Sequence, residues 1–469
     1  MIAGTSSNAG KTTVTLGLLE AFKRMSIDVA AFKAGPDFID PGLHKEILGT
    51  FSSNLDSWML ERETLRSLYY RSSFGHDLAV VEGVMGLYDG ASGSDDSGSS
   101  AQIARWLGLN ILLVVNGRSM ARSVAALVKG FLEFDRRLNF CGVIVNQVGS
   151  ENHKELLIDA LSSLDIDWIG FLPRNEKIGI PSRHLGLTVA EEGIVSQRLK
   201  DELYSWIVDN LDISSLLKRV LPSPPNKVPK ISNDSEVFFD AVGIKRSERC
   251  VSKIHKSRPV IAVSRDAAFC FCYRENIELL EYFGAEISLF SPLYDTRLPR
   301  GTKGIYLCGG YPEIYSRRLA ENTNMIKALR SAIVGGMPVY AECGGMLYLT
   351  RGLRMKGSES CWLGILPFWT KMLERLRFLG YREIEFMDDC FMASRGMRAR
   401  GHEFHYSVIE GTCSNGEDGS SRNIYKSYNR KGKAVSTEGF LVYRCLASYI
   451  HLHFLSNPML AENFVISCI

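Results

Sequence analysis

The chain has 469 residues, room for two or three domains at about 150 residues each. With 45% hydrophobic and 23% charged residues it reads as globular. A net charge of +3 without long basic runs argues against nucleic acid as a partner, and the most apolar run, 111–115, is far too short to cross a bilayer. Eleven cysteines without C-x-x-C pairs suggest a reduced, intracellular chain. The expected location is cytoplasmic, or organellar if a targeting segment precedes a chain that starts inside its first strand.

The first predicted elements are an apolar lead at 1–3, the loop Gly4-Thr5-Ser6-Ser7-Asn8-Ala9-Gly10-Lys11-Thr12-Thr13, and a helical period in Val14, Leu16, Leu18, Leu19 and Phe22. Strand, small-residue loop and helix let backbone N–H groups and a helix N-terminus approach a phosphate, where a Cβ-rich loop could not. Gly4, Thr5, Ser6, Asn8, Gly10 and Thr13 are expected to line a nucleotide site. Lys11 would meet the β- and γ-phosphates and the Thr12 hydroxyl would take Mg²⁺. The leading glycine lies one residue further out than in G-x-x-x-x-G-K-[ST].

A second strand at 27–33 runs into Ala34-Gly35-Pro36-Asp37-Phe38-Ile39-Asp40-Pro41. Pro36 and Pro41 are expected to stop any helix. Asp37 and Asp40 then sit past a strand's C-terminal end, where open α/β sheets bind ligands; they read either as Mg²⁺ or substrate groups or as ordinary turn residues. A strand at 77–83 brings in Glu82 as a second magnesium carboxylate, followed by Val84-Met85-Gly86-Leu87-Tyr88-Asp89-Gly90 and a Gly/Ser/Asp-rich loop at 90–100. A strand at 110–115, a helix at 118–129 and a strand at 140–146 follow. The last ends at Asn146, whose amide could pair with a purine edge or cap a loop. With a helix at 151–163 and a strand at 168–172, the alternation implies a parallel, doubly wound sheet.

Residues 181–187 form a polar loop carrying His184, and 219–257, rich in Pro, Ser and Lys, reads as a linker between domains at 1–218 and 258–469. The second domain repeats the α/β pattern: strand 259–264, helix 273–283, strand 286–290, strand 304–308 into Gly309-Gly310-Tyr311-Pro312, helix 317–334, and strand 338–342. The turn Cys343-Gly344-Gly345-Met346 then has the form of a nucleophile elbow, a setting expected to lower the thiol pKa. Gly309, Gly310 and Gly344 could supply oxyanion-hole N–H groups. His451 and His453 offer a base. His402 and His405 form a second pair, without further ligands nearby for a metal. Residues 410–437 read as a poorly ordered insertion with weak strand patterning.

Seven motifs in order carry a resemblance that spans essentially the whole chain. They are the Gly4–Thr13 loop; Lys33-Ala34-Gly35-Pro36-Asp37-Phe38-Ile39-Asp40-Pro41; Asn54-Leu55-Asp56-Ser57-Trp58-Met59; and Glu82 through Gly90. Further along come Pro181-Ser182-Arg183-His184-Leu185-Gly186-Leu187 and, in the second domain, Arg400-Gly401-His402-Glu403-Phe404-His405-Tyr406-Ser407 and Ala447-Ser448-Tyr449-Ile450-His451-Leu452-His453-Phe454. The chain resembles the cobyrinate (or hydrogenobyrinate) a,c-diamide synthases, whose N-terminal domain is similar to dethiobiotin synthetase and whose C-terminal domain is similar to class I glutamine amidotransferases.

The resemblance implies MgATP-dependent phosphorylation of a tetrapyrrole carboxylate, with ammonia released from L-glutamine displacing the phosphate, on the c and a acetates in turn. It places Thr12, Asp37 and Glu82 on Mg²⁺, Asp40 and Asp89 near the transferred phosphoryl and substrate, and Cys343 and His451 as nucleophile and base. The Glu that class I enzymes carry two residues after the histidine is replaced by His453, which leaves the group orienting His451 unidentified. A monomer or homodimer is expected, with neither nucleic acid nor membrane as partner. The alternatives are the same diamidation on a sirohydrochlorin-type macrocycle, or a P-loop switch protein without catalysis.

Overall fold

A computed structural model describes residues 1–179, 195–221, 235–255, 257–375, 378–411 and 421–469. The 181–187 loop with Arg183 and His184 lies outside the described residues. The chain divides into two compact units, Met1–Phe238 and Phe239–Ile469.

In chain order, the first unit holds β1 (Ile2–Gly4), α1 (Lys11–Arg24), β2 (Val29–Ala34), α2 (Ile39–Leu48), β3 (Ser53–Leu55), α3 (Arg62–Ser73) and β4 (Leu78–Glu82). It continues with α4 (Ser100–Leu107), β5 (Asn110–Asn116), α5 (Ser123–Phe134), β6 (Asn139–Val148), α6 (Glu151–Leu161), β7 (Trp168–Pro173), α7 (Gln197–Val208) and α8 (Ile213–Val220). The strands form one seven-stranded sheet in the order β3-β2-β4-β1-β5-β6-β7, and every pair is parallel. Helices on both faces explain why strands such as Asn110–Asn116 and Val29–Ala34 are apolar nearly throughout instead of alternating. With β1 between β4 and β5, the loops after β1, β2 and β4 share the C-terminal edge of the sheet, where such folds bind ligands.

Two sequence expectations fail here for local reasons. Pro41 does not stop a helix: it sits in the first turn of α2, where a missing N–H has no intrahelical acceptor to lose. α5 begins at Ser123, not 118, because a turn at 117–120 with Ser119 at φ 59° comes first.

The segment read as a linker contains α9 (Ser235–Ala241) and α10 (Glu248–Ile254), and its later part packs on the second unit. Phe239 meets Tyr282 at 4.8 Å between ring centroids, and the Ser247 N–H donates to Glu462 at 2.6 Å. Helices of seven residues carry too few turns to show a period in sequence.

The second unit continues with β8 (Val260–Ser264), α11 (Arg274–Tyr282), β9 (Glu286–Phe290), β10 (Thr302–Leu307), α12 (Ser316–Glu321), α13 (Thr323–Val334), β11 (Val339–Glu342) and α14 (Gly344–Leu349). The expected single helix at 317–334 is two, broken at Asn322, whose side chain caps α13 by accepting from the Met325 N–H at 3.3 Å. Then come β12 (Gly352–Met355), β13 (Ser358–Cys361), β14 (Trp369–Met372), β15 (Phe378–Phe386), β16 (Arg398–His405), β17 (Ser407–Glu410), β18 (Arg422–Asn429), β19 (Ala434–Val442), β20 (Cys445–Ser448), β21 (His451–Leu452) and α15 (Met459–Ser467).

Ten strands make one mixed sheet, β21-β16-β15-β18-β19-β20-β11-β10-β8-β9, and β13-β12-β14-β17 make a second. Residues 422–437, expected to be poorly ordered, supply β18 and part of β19. β18 is hydrogen-bonded on both sides, to β15 and β19, so neighbouring strands impose an order that its own pattern does not announce.

Candidate active sites

At the edge of the first sheet the loop after β1 turns through left-handed residues, Asn8 at φ 63° and Gly10 at φ 96°, and delivers Lys11 as the first residue of α1. Lys11 is buried; its Nζ donates to the Ser6 carbonyl at 3.1 Å and to the Met85 carbonyl. Burial, then the neighbouring Lys33 charge, lowers its pKa. The adjacent Thr12 hydroxyl donates to Glu82 Oε1 at 2.7 Å and lies 3.5 Å from Asp40 Oδ2.

Lys33, at the end of β2, joins these groups. Its Nζ is 2.5 Å from Asp40 Oδ2 and 2.9 Å from Glu82 Oε1, and donates to the Gly83 carbonyl at 3.1 Å. His44 Nε2 is 2.8 Å from the other Glu82 oxygen, and its Nδ1 is 3.0 Å from the Ser52 hydroxyl. Burial would raise Glu82, but Lys33, His44 and the Thr12 hydroxyl outweigh it and hold the carboxyl well below its usual range. Asp40 goes the other way: burial and the charges of Glu82 and Asp37 raise it, against the pull of Lys33. Its Oδ1 is buried without a hydrogen-bond partner among the described residues.

The other expected residues fall around this cluster in different roles. Asp37 Oδ1 accepts the N–H groups of Ile39 at 2.7 Å and Asp40 at 3.3 Å, so it caps α2, and Asp40 is the aspartate that reaches Thr12. Asn146, only 2% exposed, donates to the Ala9 carbonyl at 3.1 Å and accepts from the Gln147 N–H at 2.8 Å. That is the bracing of a phosphate loop, the loop-capping reading of that residue. Asp89 is exposed and accepts from the Gly86 N–H at 2.9 Å. Lys33 and His44 were missed. Their signal was the i,i+4 spacing of Asp40 and His44 on α2, hidden by reading Pro41 as a stop.

The second unit's site is the turn from β11 into α14. Cys343 takes φ 44° and ψ −104°, a strained conformation for a residue with a side chain, and its N–H donates to the Ser448 carbonyl at 2.7 Å. The Sγ lies 3.9 Å from the Phe404 carbonyl. The thiol pKa is raised, not lowered as expected. Burial dominates, the Glu313 charge adds to it, and the Gly344 N–H opposes it without prevailing. A neutral resting thiol needs a base.

β20 runs parallel to β11 with Ser448 opposite Glu342, which brings 448–453 beside the elbow. His451 pairs with His402 across β16 and β21, their rings stacked at 4.9 Å and 10°. The His451 ring packs against Gly309, where any side chain would collide with it. His453 stacks instead on Tyr273, at 4.4 Å and 25°, and Tyr273 bonds His402 Nδ1 at 2.9 Å. His405 belongs to another cluster: it meets Glu403 at 2.7 Å and the Ser407 carbonyl at 2.8 Å and stacks on Tyr449 at 3.7 Å.

The oxyanion-hole expectation needs one correction. The Gly309 N–H donates to the Phe271 carbonyl at 3.1 Å, so it is engaged in a strand-like bridge. Gly310 is the better donor. At φ 153° it turns back beside the elbow, its N lying 2.9 Å from where a Gly344 Cβ would be, and a Cβ of its own would collide with the Ala268 carbonyl.

Two family models match the chain: a CobQ/CobB/MinD/ParA nucleotide binding domain over residues 1–187 and a CobB/CobQ-like glutamine amidotransferase domain over residues 260–459. Among curated relatives, a cobyrinate a,c-diamide synthase of Caldanaerobacter subterraneus subsp. tengcongensis is 39% identical over 471 residues, 100% of this chain and 98% of the relative. Proteins of the same name from Priestia megaterium and Picrophilus torridus are each 37% identical, over 100% of this chain and 96% and 98% of theirs. A solved structure described as a glutamine amidotransferase covers 44% of this chain and 98% of its own length, at 18% identity and a TM-score of 0.32.

Proposed function

The chain belongs to the cobyrinate a,c-diamide synthase family, and we propose that each of its two units performs one half of a glutamine-driven amidation. It is a glutamine-hydrolysing ligase of cobalamin biosynthesis that amidates the a and c acetates of the macrocycle. The substrate is a cobyrinate- or hydrogenobyrinate-type tetrapyrrole.

In the first unit, ATP lies along the Gly4–Thr13 loop with Lys11 on the β- and γ-phosphates. A carboxylate oxygen of the macrocycle attacks the γ-phosphorus, ADP leaves, and an acyl phosphate remains. This turns a poor electrophile into one with a phosphate leaving group, which ammonia displaces as its nitrogen bonds the acyl carbon and sheds a proton. The observation that carries this reading is the meeting of Thr12, Asp40, Glu82 and Lys33 at one edge. The donor set also fits Mg²⁺: the hard oxygens of Thr12, Asp40 and Glu82 converge, and Asp40 Oδ1 is unpartnered among the described residues. Thr12, Asp40 and Glu82 would hold the ion, which would supply charge neutralisation to the phosphates. Asp37 serves by fixing the start of α2, and so Asp40.

In the second unit, Cys343 gives its proton to His451 and attacks the side-chain amide carbon of glutamine. The Gly310 and Gly344 N–H groups face the developing oxyanion. Ammonia leaves with the proton held by His451, and water hydrolyses the thioester to glutamate. Heavy-oxygen label in the macrocycle carboxylates tests the acyl phosphate: the reading requires one labelled oxygen in each phosphate released. Unlabelled phosphate would contradict it.

A further inference from the structure

We propose that Glu342, the residue immediately before the nucleophile, is the positioning residue that orients His451, which rests on the Cys343–His451 reading above. The position two residues after His451, where related enzymes carry a carboxylate, holds His453. Burial lowers the His453 pKa to about 3, so it brings no charge to balance an imidazolium, and its ring is stacked on Tyr273 at 4.4 Å, not on His451. Two other carboxylates of this unit, the half-buried Glu403 and the buried Glu438, are engaged elsewhere. Glu403 is paired with His405 and with Arg382, each at 2.7 Å. Glu438 accepts from the Ser448 hydroxyl at 3.0 Å and from the Tyr449 N–H.

Glu342 is 1% exposed, and its Oε2 lies 3.7 Å from His451 Nδ1. Three donors fix the carboxylate. Tyr340 OH gives 2.7 Å and the Leu452 N–H 2.9 Å to Oε1, and Tyr306 OH gives 2.8 Å to Oε2. One side chain thus ties the strand that carries the nucleophile to the backbone of the residue next to its base. The His451 ring, stacked on His402 and backed by Gly309, has little freedom to leave that plane. With Nδ1–H aimed at Glu342, Nε2 is left to accept the thiol proton. When the imidazolium forms, the gap need shorten by less than 1 Å to become a charge-assisted hydrogen bond. Placing the carboxylate in the residue before the nucleophile gives the orienting group the same rigid support as the thiol.

The test is glutamine hydrolysis by Glu342→Gln, Glu342→Asp and His451→Ala, with ammonia-driven amidation and thermal melting as controls of folding. Glu342→Gln is expected to lower kcat by about 10²-fold or more with KM for glutamine nearly unchanged, and Glu342→Asp to recover part of the loss. If Glu342→Gln does not fold, Glu342→Asp carries the test through an intermediate kcat at unchanged KM. Wild-type kcat in the Glu342 variants beside an inactive His451→Ala would overturn the proposal alone. Wild-type hydrolysis by His451→Ala would overturn the Cys343–His451 reading beneath it. Loss of ammonia-driven activity together with glutaminase in Glu342→Asp would mark a structural role and overturn the proposal too.

Discussion

Thr12 donates its hydroxyl hydrogen bond to Glu82 at 2.7 Å, across 70 residues of sequence, and so fastens the start of α1 to the end of β4. Glu82 also faces Lys33 and His44, both buried, and is the hub of a polar cluster at the sheet edge. Glu82→Gln keeps the volume and removes the charge. ATP-dependent amidation should fall by about 10²-fold or more, while glutamine hydrolysis by the second unit persists. Parallel assays of ADP and glutamate release check this, and loss of both activities in a folded variant would contradict the division of labour.

Cys343→Ala should abolish amidation driven by glutamine and leave amidation driven by ammonium salts. The outcome is read as amide product from either nitrogen source. A folded variant dead with both would show that the thiol site is needed for more than releasing ammonia.

Gly310→Ala places a Cβ against the Ala268 carbonyl in a backbone conformation that L residues avoid. The displaced N–H should cost about 10²-fold in kcat for glutamine, with ammonia-driven amidation retained. An unchanged kcat would remove Gly310 from the oxyanion site.

Glu438 makes stability depend on pH. Burial, with the charge of Glu403, pushes its carboxyl up from 4.5 to about 8. Between those values the folded chain keeps a proton that the unfolded chain has released. The contribution is therefore complete below the unfolded pKa and is lost as pH rises toward about 8, by at most about 1.4 kcal/mol per pH unit. Glu438→Gln cannot lose that proton and can still bond Ser448 and Tyr449. Its melting temperature should exceed that of the wild type at about pH 8, and the difference should shrink by about pH 5. A difference that grows on acidification would contradict this assignment.

The parallel sheet of the first unit could be read from sequence because buried strands such as Asn110–Asn116 stand out as apolar runs between helical periods. The phosphate loop and the elbow were equally plain, since each packs its chemistry into consecutive residues. The partners that cross the fold were not. Lys33 and His44 reach Glu82 only because β2 lies beside β4, and Glu342 faces His451 only because β11 lies beside β20. The resemblance put Asp37 on Mg²⁺ and Asp40 near the transferred phosphoryl; because α2 starts at Ile39 with Pro41 inside its first turn, Asp37 holds the start of the helix and Asp40 reaches Thr12 and Lys33. The thiol's raised pKa was equally hidden, because burial is a property of the whole unit and not of the Cys343–Met346 turn.

The most direct test of the central claim is mass spectrometry of the purified protein's products with MgATP, glutamine and a panel of cobyrinate, hydrogenobyrinate and sirohydrochlorin. Exchange of a carboxylate for a carboxamide is resolved step by step. Two successive conversions of a cobyrinate-type macrocycle, dependent on ATP and accompanied by glutamate, are the predicted result. No conversion of any member by a folded protein that binds ATP and hydrolyses glutamine would contradict it.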